Sequence, residues 1–209
     1  MIKFDPHLFE EVKQAKAALE NHGIVAFPTE TVMGLGVIYN DCEAYNKLNK
    51  VKERPEDKPY TMMVFRPEEI QKYAVINEGT QRVIDKFIPG SLTILVPVKD
   101  NSVPTYVTHG TGIIGIRIPT NIEAQHLLMH VGIPLLVPSA NKSGQKPALT
   151  SDEVNEIFGD EVDIIISGKA KSAVPSTIVD LTKETPKVVR QGAISEEEIL
   201  KAYFNKKIY

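Results

Sequence analysis

Four basic side chains, Lys50, Lys52, Arg54 and Lys58, fall within nine residues of a chain that carries more acid than base overall. They sit in NKVKERPEDKP (49–59). Arginine offers phosphate or carboxylate a planar fork, and lysine a point charge. Glu53, Glu56 and Asp57 offset part of that charge, so a solvated loop is the competing reading. A second segment, PTETVMGLG (28–36), sets Thr29 and Thr31 before paired glycines, a hydroxyl-bearing turn between two strands. Open α/β sheets bind ligands at such strand ends. A third group is PSANKSG (138–144), SGKAKSAVPST (167–177) and VVRQG (188–192). Ser139, Asn141, Ser143, Ser176 and Thr177 are short hydrogen-bonding groups beside small residues, which lets a ligand approach closely. With Arg54, Arg117 and Arg190 they point to a polyanionic ligand such as a nucleotide.

Other patterns narrow the chemistry. GTGIIG (110–115) has the spacing of a dinucleotide fingerprint, but its glycines lead into a strand, not into the helix that pyrophosphate binding needs. There is no P-loop pattern and no G-x-S-x-G for a hydrolase triad. His126 and His130 are four apart on a predicted helix, yet no acidic residue follows His126, and a packed or exposed face is the simpler reading. The single Cys42 excludes an internal disulfide framework and a cysteine zinc cage, and it fits a reducing compartment. A formal charge of −3 gives no global field for nucleic acid, so any anion site must be local. Hydrophobic residues at 42% and charged residues at 24% exclude intrinsic disorder. The N-terminus has no signal-peptide run, and no stretch approaches the roughly 18 apolar residues of a membrane span. A cytoplasmic protein is expected.

The elements that must position these groups alternate along the chain. Leu8, Val12, Ala15 and Leu19 predict a helix over 5–21. Strands are expected at 23–28, 34–39, 60–65, 92–98, 112–118, 133–138, 162–167, 176–181 and 187–190. Helices are expected from Asp41 as N-cap to about Lys50, near 67–73, 78–87 and 122–131, and from Ser151. Ser195 and Glu198 form a capping box for a last helix, and the tail FNKKIY should fray. This is one α/β domain over 1–209 with a mixed sheet.

PTETVMGLG, VKERPEDKP, PGSLT (89–93), GIRIP (115–119), SANKSG (139–144), STIVD (176–180) and VVRQG resemble, in order and spacing, the successive motifs of the YrdC-like (TsaC) family. They span about residues 6–195. The resemblance implies a twisted open α/β sheet around a large concave cavity. It also implies an L-threonylcarbamoyladenylate synthase, which uses L-threonine, bicarbonate and ATP with Mg2+ to make threonylcarbamoyl-AMP and pyrophosphate. Downstream threonylcarbamoyl-transferase proteins then modify adenosine 37 of tRNA. Thr31, Arg117 and Ser176 resemble the family's threonine contacts. Lys52, Arg54, Lys58, Ser139, Asn141 and Arg190 resemble its nucleotide contacts, with Lys52 and Arg54 in the catalytic role. Met33 stands where the family usually has Tyr, which predicts an altered pocket wall. Met63 stands where longer members often have His, which puts that threonine contact in question. At 209 residues there is no room for the C-terminal domain of long members. Two other readings remain open: a double-stranded RNA-binding module without catalysis, with weak tRNA binding as its trace, and a relative using another carbamoyl or acyl-adenylate substrate.

Overall fold

The computed structural model describes residues 5–55 and 59–205. In chain order the elements are α1 (Pro6–Glu20), β1 (Val25–Phe27), β2 (Gly34–Ile38), α2 (Cys42–Lys52), β3 (Thr61–Met63), α3 (Pro67–Tyr73), α4 (Glu78–Phe87) and β4 (Leu92–Pro97). Then follow α5 (Thr105–Thr108), β5 (Ile113–Arg117), α6 (Ile122–Val131), β6 (Leu135–Leu136), α7 (Ser151–Phe158), a 3-10 turn, β7 (Ile164–Ile165), β8 (Thr177–Asp180), β9 (Lys187–Arg190) and α8 (Glu196–Phe204). Among the described residues no helix is long and apolar enough to cross a membrane.

The strands form one open mixed sheet in the order β7-β1-β2-β6-β3-β5-β4-β8-β9. The pairs β1–β7, β3–β5 and β4–β8 are parallel and the others antiparallel. Side chains alternate across a strand, so each strand feeds two faces. Met62, Ile94, Ile116, Leu136 and Val179 enter a large core packed with residues of α2, α3, α4, α5, α7 and α8. Val25, Phe27, Met63, Leu135 and Val137 enter a second core with α1 and α6. That second core takes no residue from β4, β5, β8 or β9. Half of the second face is therefore covered by a helix pair, and half is left to line a cleft.

Local chemistry explains the element ends. Asp5, Asp41, Asn77, Asn121, Thr150 and Ser195 each accept a hydrogen bond from a first-turn amide of the helix they cap. The Ser195–Glu198 capping box is complete. α8 packs on α4 at Gly79, where a Cβ would approach the Tyr203 ring to 2.6 Å. Several elements depart from the sequence-based expectation. β6 and β7 are two residues each; flanking residues such as Val137 and Ile166 are buried and make single backbone bonds, to Thr61 O and Ala26 O, without extending the regular ladder. α2 runs on to Lys52, and the one-turn α5 has no apolar period long enough to announce it. Of the tail, residues 206–209 lie outside the described residues.

Candidate active site

The uncovered half of the sheet forms the floor of a cleft of ≈ 340 Å³. Arg117, Thr93, Ile178 and Arg190 reach it from β5, β4, β8 and β9, alternating with core residues Ile116, Ile94 and Val179. The rims are the turn after β1, which carries Thr31, the segment around Arg54 and Tyr60, and the loop with Ser139 and Asn141.

Arg117 is buried at 6% exposure. Its Nη2 donates to Glu30 Oε1 at 2.6 Å and to Thr31 Oγ1 at 2.8 Å. Glu30 Oε2 accepts the Thr120 amide at 3.1 Å, so both carboxylate oxygens are engaged. The Thr29 hydroxyl donates to Val32 O at 2.7 Å, which makes Thr31 the donor across the 3.0 Å Thr29–Thr31 contact. The hydroxyl of Thr31 is thus held by an Arg donor on one side and an acceptor on the other. Among the described residues Arg117 Nε is buried without a partner. Desolvation of an N–H without a bond is unfavourable.

Arg190 donates from Nε and Nη2 to Ser176 O at 3.1 and 2.8 Å, and from Nη2 to Ser176 Oγ at 3.0 Å. Ser176 Oγ also meets Thr93 Oγ1 at 2.9 Å. Burial first, and the positive charge of Arg117 second, hold Arg190 below its ordinary pKa. Among the described residues no carboxylate pairs with Arg190, so of the three guanidinium groups that line the cleft, Arg54, Arg117 and Arg190, Arg117 is the one seen paired with a carboxylate, Glu30. Gly192 makes this geometry accessible: a Cβ there would run into the Pro175 carbonyl oxygen and the Thr177 nitrogen. Thr177, a candidate from the sequence, is fully buried and accepts the amides of Gly192 and Ile194 at 3.0 and 3.1 Å. It fastens the chain behind Arg190.

On the opposite rim, Arg54 Nη2 donates to Pro59 O at 2.9 Å, and its guanidinium lies 4.4 Å from the Tyr60 ring centroid. Tyr60 is held in turn by a 2.6 Å bond to Asn49 Oδ1. Ser139 Oγ donates to Asn141 Oδ1 at 2.6 Å, and Asn141 Nδ2 donates to Lys142 O and Gln145 O. Lys58 lies outside the described residues.

Lys52 stands apart from the other expected residues. It is 1% exposed and lies behind the wall, its Nζ donating to Ser139 O and Asn141 O at 2.6 Å each. Burial, then Arg54 and Lys142, push its ammonium down to about 7. Met33 is likewise no wall residue: it is fully buried in the large core, its amide and carbonyl bonded to Ala148 and Ala140. Met63 does line the cleft. His126 and His130 stack at 6.2 Å, and among the described residues no three His, Cys, Asp or Glu side chains gather as a metal cage. Glu30, Thr93 and Tyr60 were not among the expected site residues. Glu30 is visible only as a letter in PTET, because its partner lies 87 positions later.

Comparison with known proteins bears on the family and the fold. The sequence profile of the Sua5/YciO/YrdC family, described as telomere recombination, matches residues 17–192. The threonylcarbamoyl-AMP synthase of Bacillus subtilis is 32% identical over 192 residues, covering 90% of this chain and 55% of that protein. The putative threonylcarbamoyl-AMP synthase of Methanocaldococcus jannaschii is 34% identical, covering 88% and 86%. Pyrococcus abyssi Sua5 complexed with L-threonine superposes with a TM-score of 0.88 at 31% identity, over 96% of this chain and 58% of that one. Escherichia coli YciO superposes at 0.85 with 26% identity, over 94% and 95%. The chain thus spans little more than half of the Bacillus and Pyrococcus proteins and nearly all of the shorter ones. It belongs to the Sua5/YciO/YrdC family.

Proposed function

We propose that this chain is an L-threonylcarbamoyladenylate synthase, condensing L-threonine, bicarbonate and ATP to threonylcarbamoyl-AMP and pyrophosphate. The observation that carries the reading is the cleft lined by three guanidinium groups, Arg54, Arg117 and Arg190, of which Arg190 has no carboxylate partner among the described residues. Such a site takes a ligand with more than one negative group. The threonine carboxylate would pair with the Arg117 guanidinium, with the Thr31 and Ser176 hydroxyls placed to orient the amino acid. Met63 offers an apolar wall for a short side chain.

The chemistry asks for positioning more than for a nucleophile. The threonine amine adds to the carbon of bicarbonate-derived CO2 and loses a proton, giving a carbamate. A carbamate oxygen then forms a bond to the α-phosphorus as the bond to the pyrophosphate oxygen breaks. Arg54 and Arg190, with the 139–141 loop alongside, would face the charge that moves onto the phosphates. Magnesium would enter as part of the MgATP substrate. The cleft walls would shield a carbamate that water decomposes. The product is an activated acyl donor, suited to proteins that transfer the threonylcarbamoyl group to tRNA adenosine 37.

The test is pyrophosphate release from MgATP with bicarbonate, scanned across amino acids. Release is expected with L-threonine well above all others. Release with a different amino acid alone would assign the chain to another carbamoyl-adenylate substrate, and tight salt-resistant RNA binding without ATP binding would make it an RNA module.

A further inference from the structure

We infer that Lys52 and Lys142 form a crossed clamp between the end of α2 and the 139–145 loop, and that Lys52 serves the reaction as a positioning residue without touching ATP. The second half of this rests on the proposed activity; the clamp itself does not. α2 ends at Lys52, with Glu53 in the left-handed region at φ 50°. A helix end leaves its last carbonyls without helical partners. Here the loop supplies them: Lys142 Nζ donates to Val51 O at 2.7 Å, and the Ser143 amide donates to Lys52 O at 2.9 Å. In return Lys52 Nζ donates to Ser139 O and Asn141 O. The two lysines cross, each from its own segment onto the backbone of the other. Lys142 is held at its far side by Glu161 Oε2 at 2.6 Å.

The consequence is mechanical. Arg54 follows Lys52 by two residues, and Ser139 and Asn141 are the residues whose carbonyls Lys52 holds. The clamp therefore locks the two rims that face the phosphate side of the cleft into one unit. Were Lys52 to swing to a phosphate, the Ser139 and Asn141 carbonyls would lose their donor together. Lys142 lies off the cleft wall, so a role for it in ATP binding is expected from the clamp and from no direct-contact scheme.

The experiment compares Lys52→Met, Lys142→Met and Arg54→Ala with the parent. Hydrogen exchange of the ligand-free proteins is read at the 139–145 amides, and steady-state kinetics give the KM values for ATP and threonine. Both lysine variants are expected to exchange those amides about tenfold faster or more, as a locally opened segment does, while Arg54→Ala matches the parent. Both should raise the KM for ATP by about tenfold, the scale of one lost charge-assisted bond, and leave the KM for threonine within about twofold. Unchanged exchange in Lys52→Met beside a raised KM for ATP would overturn the clamp in favour of direct contact. If Lys52→Met does not fold, Lys142→Met decides: parent-like exchange and KM there would also overturn it. A parent that makes no threonine-dependent pyrophosphate would refute the proposed activity, whereas the exchange arm reads the clamp regardless.

Discussion

The same face of one sheet is treated in two ways. Over β1, β2, β6 and β3 it presents Val25, Phe27, Leu135 and Met63 to the helix pair α1 and α6. Over β5, β4, β8 and β9 it presents Arg117, Thr93, Ile178 and Arg190 to a cleft. The alternation runs through both halves except between β8 and β9, where a register shift beside Ile178 and Val179 lets Val188 pack on the core and Arg190 reach the cleft; otherwise the residue type and the missing helices make the difference. The apolar half contributes stability, since burial of such side chains is the main favourable term in folding. The polar half contributes little to stability, because burying a guanidinium is recovered only through bonds. This division implies that substitutions in the two halves should separate stability from turnover.

The largest expected separation comes from Phe27→Ala, a fully buried side chain in the covered half. It should destabilise the protein by about 3–5 kcal/mol in chemical denaturation, while the folded fraction keeps its KM values. If the KM for threonine rose with it, the two halves would not be independent. Next is Arg54→Ala on the cleft rim. Loss of charge-assisted bonds worth roughly 1.5–3 kcal/mol each should lower kcat/KM with little change in the thermal midpoint. Arg54→Lys keeps the charge but not the fork, and should recover part of the activity. Undiminished turnover in Arg54→Ala would remove this residue from the site.

A smaller effect tests the linkage far from either half. His22 Nδ1 lies 2.7 Å from Asp41 Oδ2, and that hydrogen bond, with the charges of Asp41 and Glu43, raises its pKa. A raised folded pKa means stability that is full below the unfolded value near 6.5 and is lost as pH rises through the folded value. His22→Gln should therefore differ most from the parent on the acid side of neutrality and converge with it in mild alkali. Denaturation midpoints of the two proteins across that window check the sign, and a difference that grew with pH would contradict it.

The long amphipathic helices and the apolar strands were legible because burial imposes a period on the sequence. Val12, Ala15 and Leu19 announce α1, and GIIGIRI announces β5. The short β6 and β7 were overextended, since an apolar run records burial and not ladder pairing. In the site, single residues such as Arg117 and Ser139 could be named from motif order, and the structure gathers them about one cleft. What could not be read was how they are held. The Glu30–Arg117 pair and the Lys52–Asn141 bond join residues 87 and 89 positions apart. Nothing local marks a lysine that will face inward to carbonyls from one that will face a phosphate. Met33 shows the same limit: its neighbours in sequence are turn residues, yet it is buried in the large core.

The central claim is that the uncovered half of the sheet brings threonine, carbon dioxide and ATP together. Pyrophosphate release from MgATP and L-threonine in CO2-depleted buffer, before and after bicarbonate is added, tests it most directly. Release is expected to need both threonine and bicarbonate, and to fall steeply in Arg190→Ala while the fold stays intact. Equal release with and without bicarbonate would contradict the carbamate route, and unchanged release in Arg190→Ala would place the reaction elsewhere.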